Sequence, residues 1–267
     1  MKRVALIGYG ALGKIVVKEW AAHLGESYEL VGVLEKFLET AAEEIGKMGY
    51  HAYGSAEELL EDKPDYVIEL AGVGAVKEYG QAVLEHGCNL IVASVGALAD
   101  DEFKNQLEET AKVHGCKIYV TSGAVGGFDV FQTIALMGGA KAKIDNFKAP
   151  ASLNGAPYLE GRLLPEDEEE LVFQGSARKA IAGFPKNVNV AISSGLASVG
   201  LDEMQVTIHS KPGLVDNIHQ VVVENESVRA TVEIASKPDK VNPKSSVVTA
   251  WSVIALLKSL ESTIQMF

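Results

Sequence analysis

Three glycines near the start of the chain separate an apolar run from an amphipathic segment. This arrangement restricts the fold more than any other feature of the sequence. Val4 to Ile7 is a short β-rich run, and Ala11 to Ala22 has the apolar spacing of a helix. The glycines have the spacing Gly8-x-Gly10-x-x-Gly13. In a strand–turn–helix unit, the first glycine permits the tight turn, the second lets a pyrophosphate approach the backbone, and the third lets the helix pack on its strand. The start of the helix also offers N–H groups and a positive dipole end to the phosphates.

An acidic residue follows the glycines at the distance that a dinucleotide-binding unit requires. Glu35 ends the second apolar run, Leu30 to Leu34, about twenty residues beyond the glycines. A carboxylate there accepts hydrogen bonds from a ribose 2′-hydroxyl and repels a 2′-phosphate, whereas the neighbouring Lys36 weakens that repulsion. The sequence therefore predicts a nicotinamide dinucleotide site that prefers NAD and tolerates NADP.

The composition excludes several other classes of function. The 267 residues carry a formal net charge of -12, which would repel the phosphates of a nucleic acid. Cys88 and Cys116 stand outside any CxxC or CxxH pairing, so we expect neither a metal site nor a disulfide framework. The chain enters a predicted core strand at once, which argues against a signal peptide, and its apolar runs are shorter than the roughly 20 residues of a membrane helix. We therefore expect a cytoplasmic protein that acts on a small molecule, without membrane or nucleic-acid partners.

Strands and helices alternate regularly through the first half of the chain. This alternation predicts right-handed βαβ units and a doubly wound parallel sheet, a Rossmann domain, over residues 1–121. From residue 122 to 243 the pattern predicts a second α+β domain with a mixed or antiparallel sheet. Its strands are expected at 146–149, 170–174, 204–209, 220–224 and 228–235, and its helices at 177–182 and 188–197. Residues 244–267 are predicted to form a helix that packs back on the first domain. Its core positions are expected to be Val247, Trp251, Ile254 and Leu257.

Five segments follow the carboxyl ends of the predicted parallel strands, where an open sheet of this kind binds its ligand. They are Gly8 to Gly13, Glu35-Lys36, Ala71 to Gly74, Ser94 to Ala97 and Ser122 to Gly127. Four of the five are rich in glycine, as a close approach to a cofactor requires, whereas ordinary turns would explain one or two of them. A dinucleotide along this edge would extend from the second segment, at its adenosine ribose, to the fifth, at its nicotinamide. The cofactor-binding residues expected in the first domain are Gly8, Gly10, Ala11, Leu12, Gly13, Glu35, Ala71, Gly72, Ser94 and Val95.

Histidine is the commonest general acid or base near neutral pH, and two of the six histidines are candidates. His209 and His219 both lie in the second domain, where we expect the substrate-binding groups, whereas the others suit surface or helix-end positions. Asn217 and His219 alternate with the apolar Ile218, so their side chains should face the same side of the chain. We place this segment between a loop and a strand. A structural role for His219 and a catalytic one both stay open from the pattern alone.

A second polar cluster, Phe184 to Val190, contains two asparagines after a proline. The amides of Asn187 and Asn189 suit the start of a helix, where a side-chain oxygen caps the first N–H groups. The alternative is that one amide binds the carboxamide of a nicotinamide.

Six motifs, which follow one another over essentially the whole chain, together resemble the L-aspartate dehydrogenase family. They are Ala93 to Asp100, Ser122 to Asp129, Gly175 to Arg178, Phe184 to Asn189, Asn217 to His219 and Asn242 to Ser246. The resemblance implies NAD(P)-dependent oxidation of L-aspartate to iminoaspartate, which hydrolyses to oxaloacetate and ammonia or feeds NAD biosynthesis. It also implies a catalytic role for His219 and nicotinamide binding at Ala124 and Asn189. The chain departs from the frequent family pattern at Leu70 and Ala149, outside the residues to which we assign chemistry.

A dicarboxylate substrate requires cationic partners, and basic residues lie in or beside the matched motifs. The residues expected to bind substrate are Lys148, Arg178, Asn217 and Lys244, and Lys186 is a further basic residue of these motifs. His219 would take a proton from the substrate ammonium or activate the water that attacks the imine, and the sequence does not separate these roles.

Two alternatives to this function stay open. One is another oxidoreductase of the same architecture, such as a homoserine dehydrogenase or a dihydrodipicolinate reductase. The other is a dinucleotide-sensing regulator without catalysis. We also expect a homodimer or higher homo-oligomer, formed through the sheet of the second domain, because its apolar strands over residues 220–235 have faces that one modest domain would not cover.

Overall fold

The computed structural model describes residues 1–185, 187–237 and 246–265, which form two compact units. The first unit is Met1–Thr121 together with the C-terminal segment from Thr249, and the second runs from Ser122 to Val248. Each unit contains its own sheet, one parallel and one mixed. The predicted fold class, a doubly wound domain followed by an α+β domain, is confirmed.

The secondary-structure elements are numbered in chain order. The strands are β1 (Lys2–Ile7), β2 (Tyr28–Leu34), β3 (His51–Tyr53), β4 (Tyr66–Glu69), β5 (Asn89–Val92), β6 (Ile118–Val120), β7 (Lys141–Lys148), β8 (Glu170–Ser176), β9 (Gln205–Ser210), β10 (Asn217–Glu224) and β11 (Arg229–Ser236). The α-helices are α1 (Ala11–His23), α2 (Leu38–Lys47), α3 (Ala56–Glu61), α4 (Val73–Glu85), α5 (Asp101–His114), α6 (Phe128–Leu136), α7 (Pro150–Leu153), α8 (Ala177–Gly183), α9 (Asn189–Leu196) and α10 (Val247–Glu261). Two short 3-10 helices cover Val95–Ala99 and Pro157–Leu159.

The sheet of the first unit has the strand order β3-β2-β1-β4-β5-β6, and all of its neighbouring strands are parallel. Strand β1 lies at the centre, and its residues Val4 to Ile7 are buried because helices cover both faces of such a sheet. The strand order reverses direction at β1 and β4. In doubly wound sheets the ligand crevice lies at this switch point, beyond the carboxyl ends of the strands.

The C-terminal helix α10 packs within the first unit from Thr249 onward. Its buried residues Ala250, Val253, Ile254 and Leu257 join the core formed by α1 and β2. The Tyr28 hydroxyl donates a hydrogen bond to the Leu257 carbonyl at 2.9 Å. The sequence expectation for Trp251 was wrong, because its side chain is 41% exposed and its ring meets His23 edge-on.

The sheet of the second unit has the order β11-β10-β7-β9-β8. Strands β7 and β9 are parallel and the other neighbours are antiparallel, so this sheet is mixed. Alternate residues of β7 are buried, from Ala142 and Ile144 to Asn146 and Lys148. One face of this sheet is therefore apolar at one end of β7 and polar at the other.

The second unit differs from the sequence expectation at three elements that bear on the site. Strand β7 covers Lys141–Lys148, whereas a strand was expected at 146–149. Strand β10 begins at Asn217 rather than at residue 220, so Asn217 and His219 lie inside a strand and not before it. Helix α6 was not predicted, and it begins after Gly127, whose φ of 81° lies in the left-handed region. The glycine-rich segment concealed this helix, because glycine is a poor helix former.

Two features are absent from the part of the chain that the structure describes. Its helices are too short or too polar to cross a membrane. In the same residues, histidine, cysteine and acidic side chains form no group of three or more that could hold a metal ion. The cytoplasmic location stays a prediction.

Candidate functional site

The glycine-rich turn after β1 leaves no room for side chains at its two ends. A Cβ on Gly8 would lie 2.8 Å from the backbone nitrogen of Ala71, and the φ of Gly8 is 102°. A Cβ on Gly13 would collide with the Gly8 carbonyl oxygen. Gly10, by contrast, faces open space, with no atom within 4 Å of a Cβ placed there. It precedes α1 without a side-chain cap, so the first N–H groups of the helix, from Ala11 to Gly13, have no acceptor from the N-cap side chain and suit a phosphate.

Glu35 lies beside this turn, at the end of β2. Its carboxylate accepts a hydrogen bond from the Tyr9 backbone N–H at 2.6 Å and another from the Phe37 N–H at 3.2 Å. The first bond brings the acidic group to the glycine-rich turn, as a ribose-binding carboxylate requires. Lys36 is exposed next to it.

Sequence reasoning assigned no role to Glu69, the last residue of β4. Its side chain is 1% exposed and accepts four hydrogen bonds, from the Ala71, Gly72 and Ser94 N–H groups and from the Ser94 hydroxyl. One carboxylate therefore joins the loops that follow β4 and β5. Burial raises the pKa of Glu69, and the four hydrogen bonds oppose that rise.

These bonds fix the position of three residues that the sequence predicts to bind cofactor, Ala71, Gly72 and Ser94. The fourth, Val95, begins the 3-10 helix Val95–Ala99 and is buried. Gly72 has a φ of 124°, and like Gly74 it has no atom within 4 Å of a Cβ placed on it. The end of the sheet at β1, β4 and β5 thus combines glycines that face open space with backbone N–H groups. This arrangement fits a dinucleotide.

In the second unit, His219 and Asn146 face each other across β10 and β7. They are register partners, and His219 Nδ1 lies 2.7 Å from Asn146 Oδ1. Both side chains are buried, with exposures of 4% and 0%. Asn146 was missed as a site residue because it lies 73 positions away in the chain. The available signal was the alternation that places Asn146 and Lys148 on the same face of the strand as the apolar Ala142 and Ile144.

The bonds of Asn146 decide which nitrogen of His219 carries the proton. The Asn146 amide nitrogen donates to the Thr207 carbonyl at 3.0 Å, so its oxygen is the atom that faces the imidazole. An amide oxygen only accepts, and Nδ1 of His219 must therefore be the protonated nitrogen. Burial, and then the positive charge of Lys148, lower the pKa of His219 well below its usual range. The imidazole is neutral at physiological pH, and its Nε2 is the basic atom.

Lys148 ends the same strand, two residues beyond Asn146, and its side chain is only 4% exposed. Burial lowers its pKa to about 8. Asn217, the first residue of β10, is also buried, and its register partner on β11 is Ser236. Asn146, Lys148, Asn217 and His219 thus form a polar cluster at one end of an otherwise apolar sheet face. We call these four residues the polar end of the sheet.

The other predicted site residues lie apart from the strands of this sheet or beyond the described residues. Arg178 is in the first turn of α8, where its guanidinium forms a two-pronged ion pair with Asp202 at 2.7 and 2.9 Å. Ala124 is buried in the loop after β6. Lys186 and Lys244 are outside the described residues.

The amide cluster before α9 does not cap the helix as expected. The N-cap residue is Val188, without a side-chain hydrogen bond, and Asn189 is the first helical residue. Asn187 is buried and donates to the Ser152 carbonyl at 3.1 Å instead. The capping interpretation was therefore wrong.

The second candidate histidine, His209, stacks on Phe147 and lies 3.1 Å from the Thr207 hydroxyl oxygen.

Comparison with known proteins agrees with this arrangement of two units. Residues 129–260 match the family described as aspartate dehydrogenase, C-terminal, and residues 8–121 match the NAD binding domain of homoserine dehydrogenase. The chain is 34% identical over 271 residues to the L-aspartate dehydrogenase of Methanosarcina acetivorans, covering 99% of each protein. It is 35% identical over 270 residues to that of Acinetobacter baylyi, covering 99% of this chain and 100% of the relative.

Solved structures show the same relationship. The aspartate dehydrogenase of Thermotoga maritima superimposes over the full length of both chains with a TM-score of 0.78 and 27% identity. A hyperthermophilic archaeal homoserine dehydrogenase in complex with NADPH has a TM-score of 0.61 at 15% identity, which supports the fold alone. With full-length relatives above 30% identity and a matching dinucleotide-binding domain, this chain belongs to the L-aspartate dehydrogenase family of oxidoreductases.

Proposed function

We propose that the protein oxidises L-aspartate to iminoaspartate with NAD(P), and that the imine hydrolyses to oxaloacetate and ammonia. When bound, the nicotinamide accepts the hydride that leaves the substrate Cα. The substrate ammonium loses its proton as the carbon–nitrogen double bond forms. The observation that carries the proposal is a neutral, buried imidazole whose proton-accepting nitrogen is defined by its neighbours.

His219 performs the proton transfer in this proposal. Its Nδ1–H is engaged by Asn146, which leaves Nε2 to take a proton from the substrate ammonium. Nε2 then passes this proton to solvent. After that, the same nitrogen activates the water that attacks the imine. A base with a lowered pKa stays unprotonated at neutral pH, so each turnover starts with His219 ready to accept.

The residues of the first unit would hold the cofactor. The turn from Gly8 to Gly13 would bind the pyrophosphate, and Glu35 the adenosine ribose, with NAD preferred over NADP. Lys36 gives the partial tolerance of a 2′-phosphate. Ala124 and Asn189 are proposed to bind the nicotinamide, as the family resemblance implies.

In this proposal, substrate binding falls to the polar end of the sheet. Lys148 supplies a buried positive charge for a carboxylate, and Asn217 orients the substrate. Arg178 is a weaker candidate than the sequence implied, since its guanidinium is already paired with Asp202. The iminoaspartate would serve NAD biosynthesis if it is passed on before it hydrolyses.

The experiment that tests this function is a screen of amino acids for NADH formation by the purified protein. L-aspartate should be the only efficient substrate among L-aspartate, L-glutamate, L-alanine and L-homoserine. Strong turnover of homoserine would overturn the proposal in favour of another oxidoreductase of this architecture. Binding of NAD without any turnover would favour the dinucleotide-sensing alternative.

Assembly into a homo-oligomer stays a proposal. The apolar residues Val221, Val222 and Val223 of β10 are buried within the chain, and the exposed positions of β11 are Arg229, Thr231, Glu233 and Ala235. The apolar residues of β10 are therefore covered already, whereas Ala230, Val232 and Ile234 of β11 are only partly buried. These three residues and the family resemblance are the remaining support. A mass near 28.4 kDa by light scattering would contradict assembly.

A further inference from the structure

Two buried polar side chains at the end of the second sheet have no partner among the described residues. The Ser210 hydroxyl is fully buried without a hydrogen bond. The Lys148 ammonium, on a side chain that is 4% exposed, has neither a hydrogen bond nor an ion pair in the part of the chain that the structure describes. Buried polar groups are ordinarily satisfied, because an unpaired one costs free energy. Two such groups together indicate that something else satisfies them.

The strand register brings these two residues together. Lys148 on β7 and Ser210 on β9 are direct partners in a parallel pair, and both are buried. Partners in adjacent strands lie about 5 Å apart with their side chains on the same face. The pairing continues one residue further, where the Lys211 N–H donates to the Lys148 carbonyl at 2.8 Å. Both residues therefore lie within the hydrogen-bonded sheet rather than on a loop.

We infer that Lys148 and Ser210 form a subsite for one carboxylate of the substrate. This inference rests on the proposed function. A carboxylate has two oxygens, and the pair offers a positive charge to one and a hydroxyl donor to the other. It would satisfy the Ser210 hydroxyl and neutralise the buried ammonium in one step. The sequence pointed to Lys148, whereas no pattern in the sequence pointed to Ser210.

The position of the subsite relative to His219 agrees with this use. His219 is the register partner of Asn146, which lies two residues before Lys148 on the same strand. Two residues along a strand correspond to about 7 Å. An amino acid has its amine and a carboxylate on one carbon, so the long Lys148 side chain and the imidazole can reach the two groups at once.

The test uses succinate, a dicarboxylate without an amine, titrated calorimetrically into the full-length protein in the presence of NAD. Replacement of Ser210 by alanine removes one hydrogen bond to a charged group, and the Kd of succinate should rise roughly tenfold to a hundredfold. The Tm of the ligand-free variant should be equal to or above that of the wild type, because the hydroxyl that is removed has no partner to lose. Only a binding role predicts both results.

A matched control is available in Ser194 on α9, whose hydroxyl is also buried and has no hydrogen-bond partner within the described ranges of the chain. Ser194→Ala should leave the succinate Kd within twofold of the wild type. Lys148→Met, which removes the charge, should abolish measurable binding and serves as the second variant. In steady-state kinetics, Ser210→Ala should raise the KM of L-aspartate and leave kcat within a few-fold, the behaviour expected when uniform binding is lost.

The inference fails if wild-type protein does not bind succinate, or if Ser210→Ala binds it as the wild type does. These results are independent of turnover. A wild type that binds succinate but does not oxidise L-aspartate refutes the proposed function and leaves a carboxylate site. A wild type that oxidises L-aspartate, with Ser210→Ala unchanged in both Kd and KM, refutes the subsite alone.

Discussion

His219 Nδ1 lies 2.7 Å from Asn146 Oδ1, across two antiparallel strands that the chain connects only after 73 residues. The amide of Asn146 is fixed in turn by the Thr207 carbonyl on the third strand. Three neighbouring strands thus determine which nitrogen of one imidazole is basic. In other enzymes, a side chain that accepts a hydrogen bond from one ring nitrogen orients the catalytic histidine and selects its tautomer. In the proposed mechanism, Asn146 is therefore a positioning residue for His219.

We expect the tautomer to depend on Asn146. In Asn146→Asp, a carboxylate beside the imidazole stabilises its protonated form and raises the pKa of His219 above that in the wild type. The acid limb of kcat/KM against pH should therefore move to higher pH. In Asn146→Ala, kcat should fall roughly tenfold or more while the limb stays in place, since the orientation is lost without a new charge. Identical pH profiles for the wild type and Asn146→Asp would show that the pair does not act in catalysis.

Replacement of His219 tests the base itself. His219→Ala should lower kcat by roughly 10² to 10⁴, the usual contribution of a general acid or base, with little change in NAD affinity. Because burial and Lys148 lower the pKa of His219, wild-type kcat/KM should be level near neutral pH and fall only below about pH 6.5. The folded pKa lies below the unfolded value, so the stability from the neutral ring is present above pH 6.5 and is lost as the pH falls toward the folded pKa.

A buried histidine with a structural role would give a different result, since its loss would reduce the Tm and every activity together. Tm and kcat must therefore be measured on the same preparation. A well-folded His219→Ala enzyme within tenfold of the wild-type rate would end the proposal.

The first unit could be predicted from the sequence because its signals are local. The glycine spacing from Gly8 to Gly13 and the alternation of short apolar runs with helices each lie within a few dozen residues, as right-handed βαβ units require. The second sheet depends on partners distant in the chain. Nothing near Asn146 or Ser210 indicates that they lie beside His219 and Lys148, because register across strands is decided by the packing of the whole sheet.

Glu69 was missed for a related reason. Within the run Tyr66 to Glu69, an acid at the end of an apolar strand is indistinguishable from an ordinary surface residue. Its burial is stabilised by N–H groups of Ala71, Gly72 and Ser94, and the last of these belongs to the loop after the next strand. Helix α6 was missed because the glycines before Phe128 indicate a loop. The helix begins directly after them, at Phe128.

Cofactor preference should depend on Glu35. Glu35→Ser removes the carboxylate that repels a 2′-phosphate, so the ratio of kcat/KM for NADP to that for NAD should rise. The substitution also removes the hydrogen bond from the Tyr9 N–H, and a modest decrease in Tm should accompany it. The matched variant Lys36→Ala should change the ratio in the opposite direction. An unchanged ratio in both variants would mean that neither side chain meets the ribose.

The carboxylate of Glu69 should affect the cofactor site without touching substrate. Glu69→Gln keeps one acceptor oxygen but places an amide donor against the Ser94 N–H. The Ser94 N–H is then unsatisfied, which should lower the free energy of unfolding by roughly 1–3 kcal/mol. We expect a lower Tm and a higher KM for NAD, with kcat and the KM of L-aspartate little changed. The control is Glu85→Gln, an exposed position at the end of α4. If Glu69→Gln binds NAD as the wild type does, the loops after β4 and β5 do not depend on this carboxylate.

The buried charge of Lys148 should make the ligand-free protein less stable than its own Lys148→Met variant. Burial lowers the pKa of this ammonium from 10.5 to about 8, a difference that corresponds to roughly 3 kcal/mol. Below pH 8 the free energy of unfolding is lowered by this full amount. Between pH 8 and 10.5 the unfolded chain holds the proton more tightly than the folded one, so stability rises with pH in that window.

The Lys148→Met variant lacks this ammonium. The test is therefore to measure Tm as a function of pH for the wild type and for the variant. Lys148→Met should have the higher Tm at pH 7, and its advantage should shrink as the pH rises above 8. Wild-type kcat/KM for L-aspartate should fall over the same range, because a neutral amine attracts a carboxylate less than an ammonium does. A variant less stable than the wild type at pH 7 would show that Lys148 is stabilised by a partner in the ligand-free protein. A substrate carboxylate would then not be needed to satisfy it.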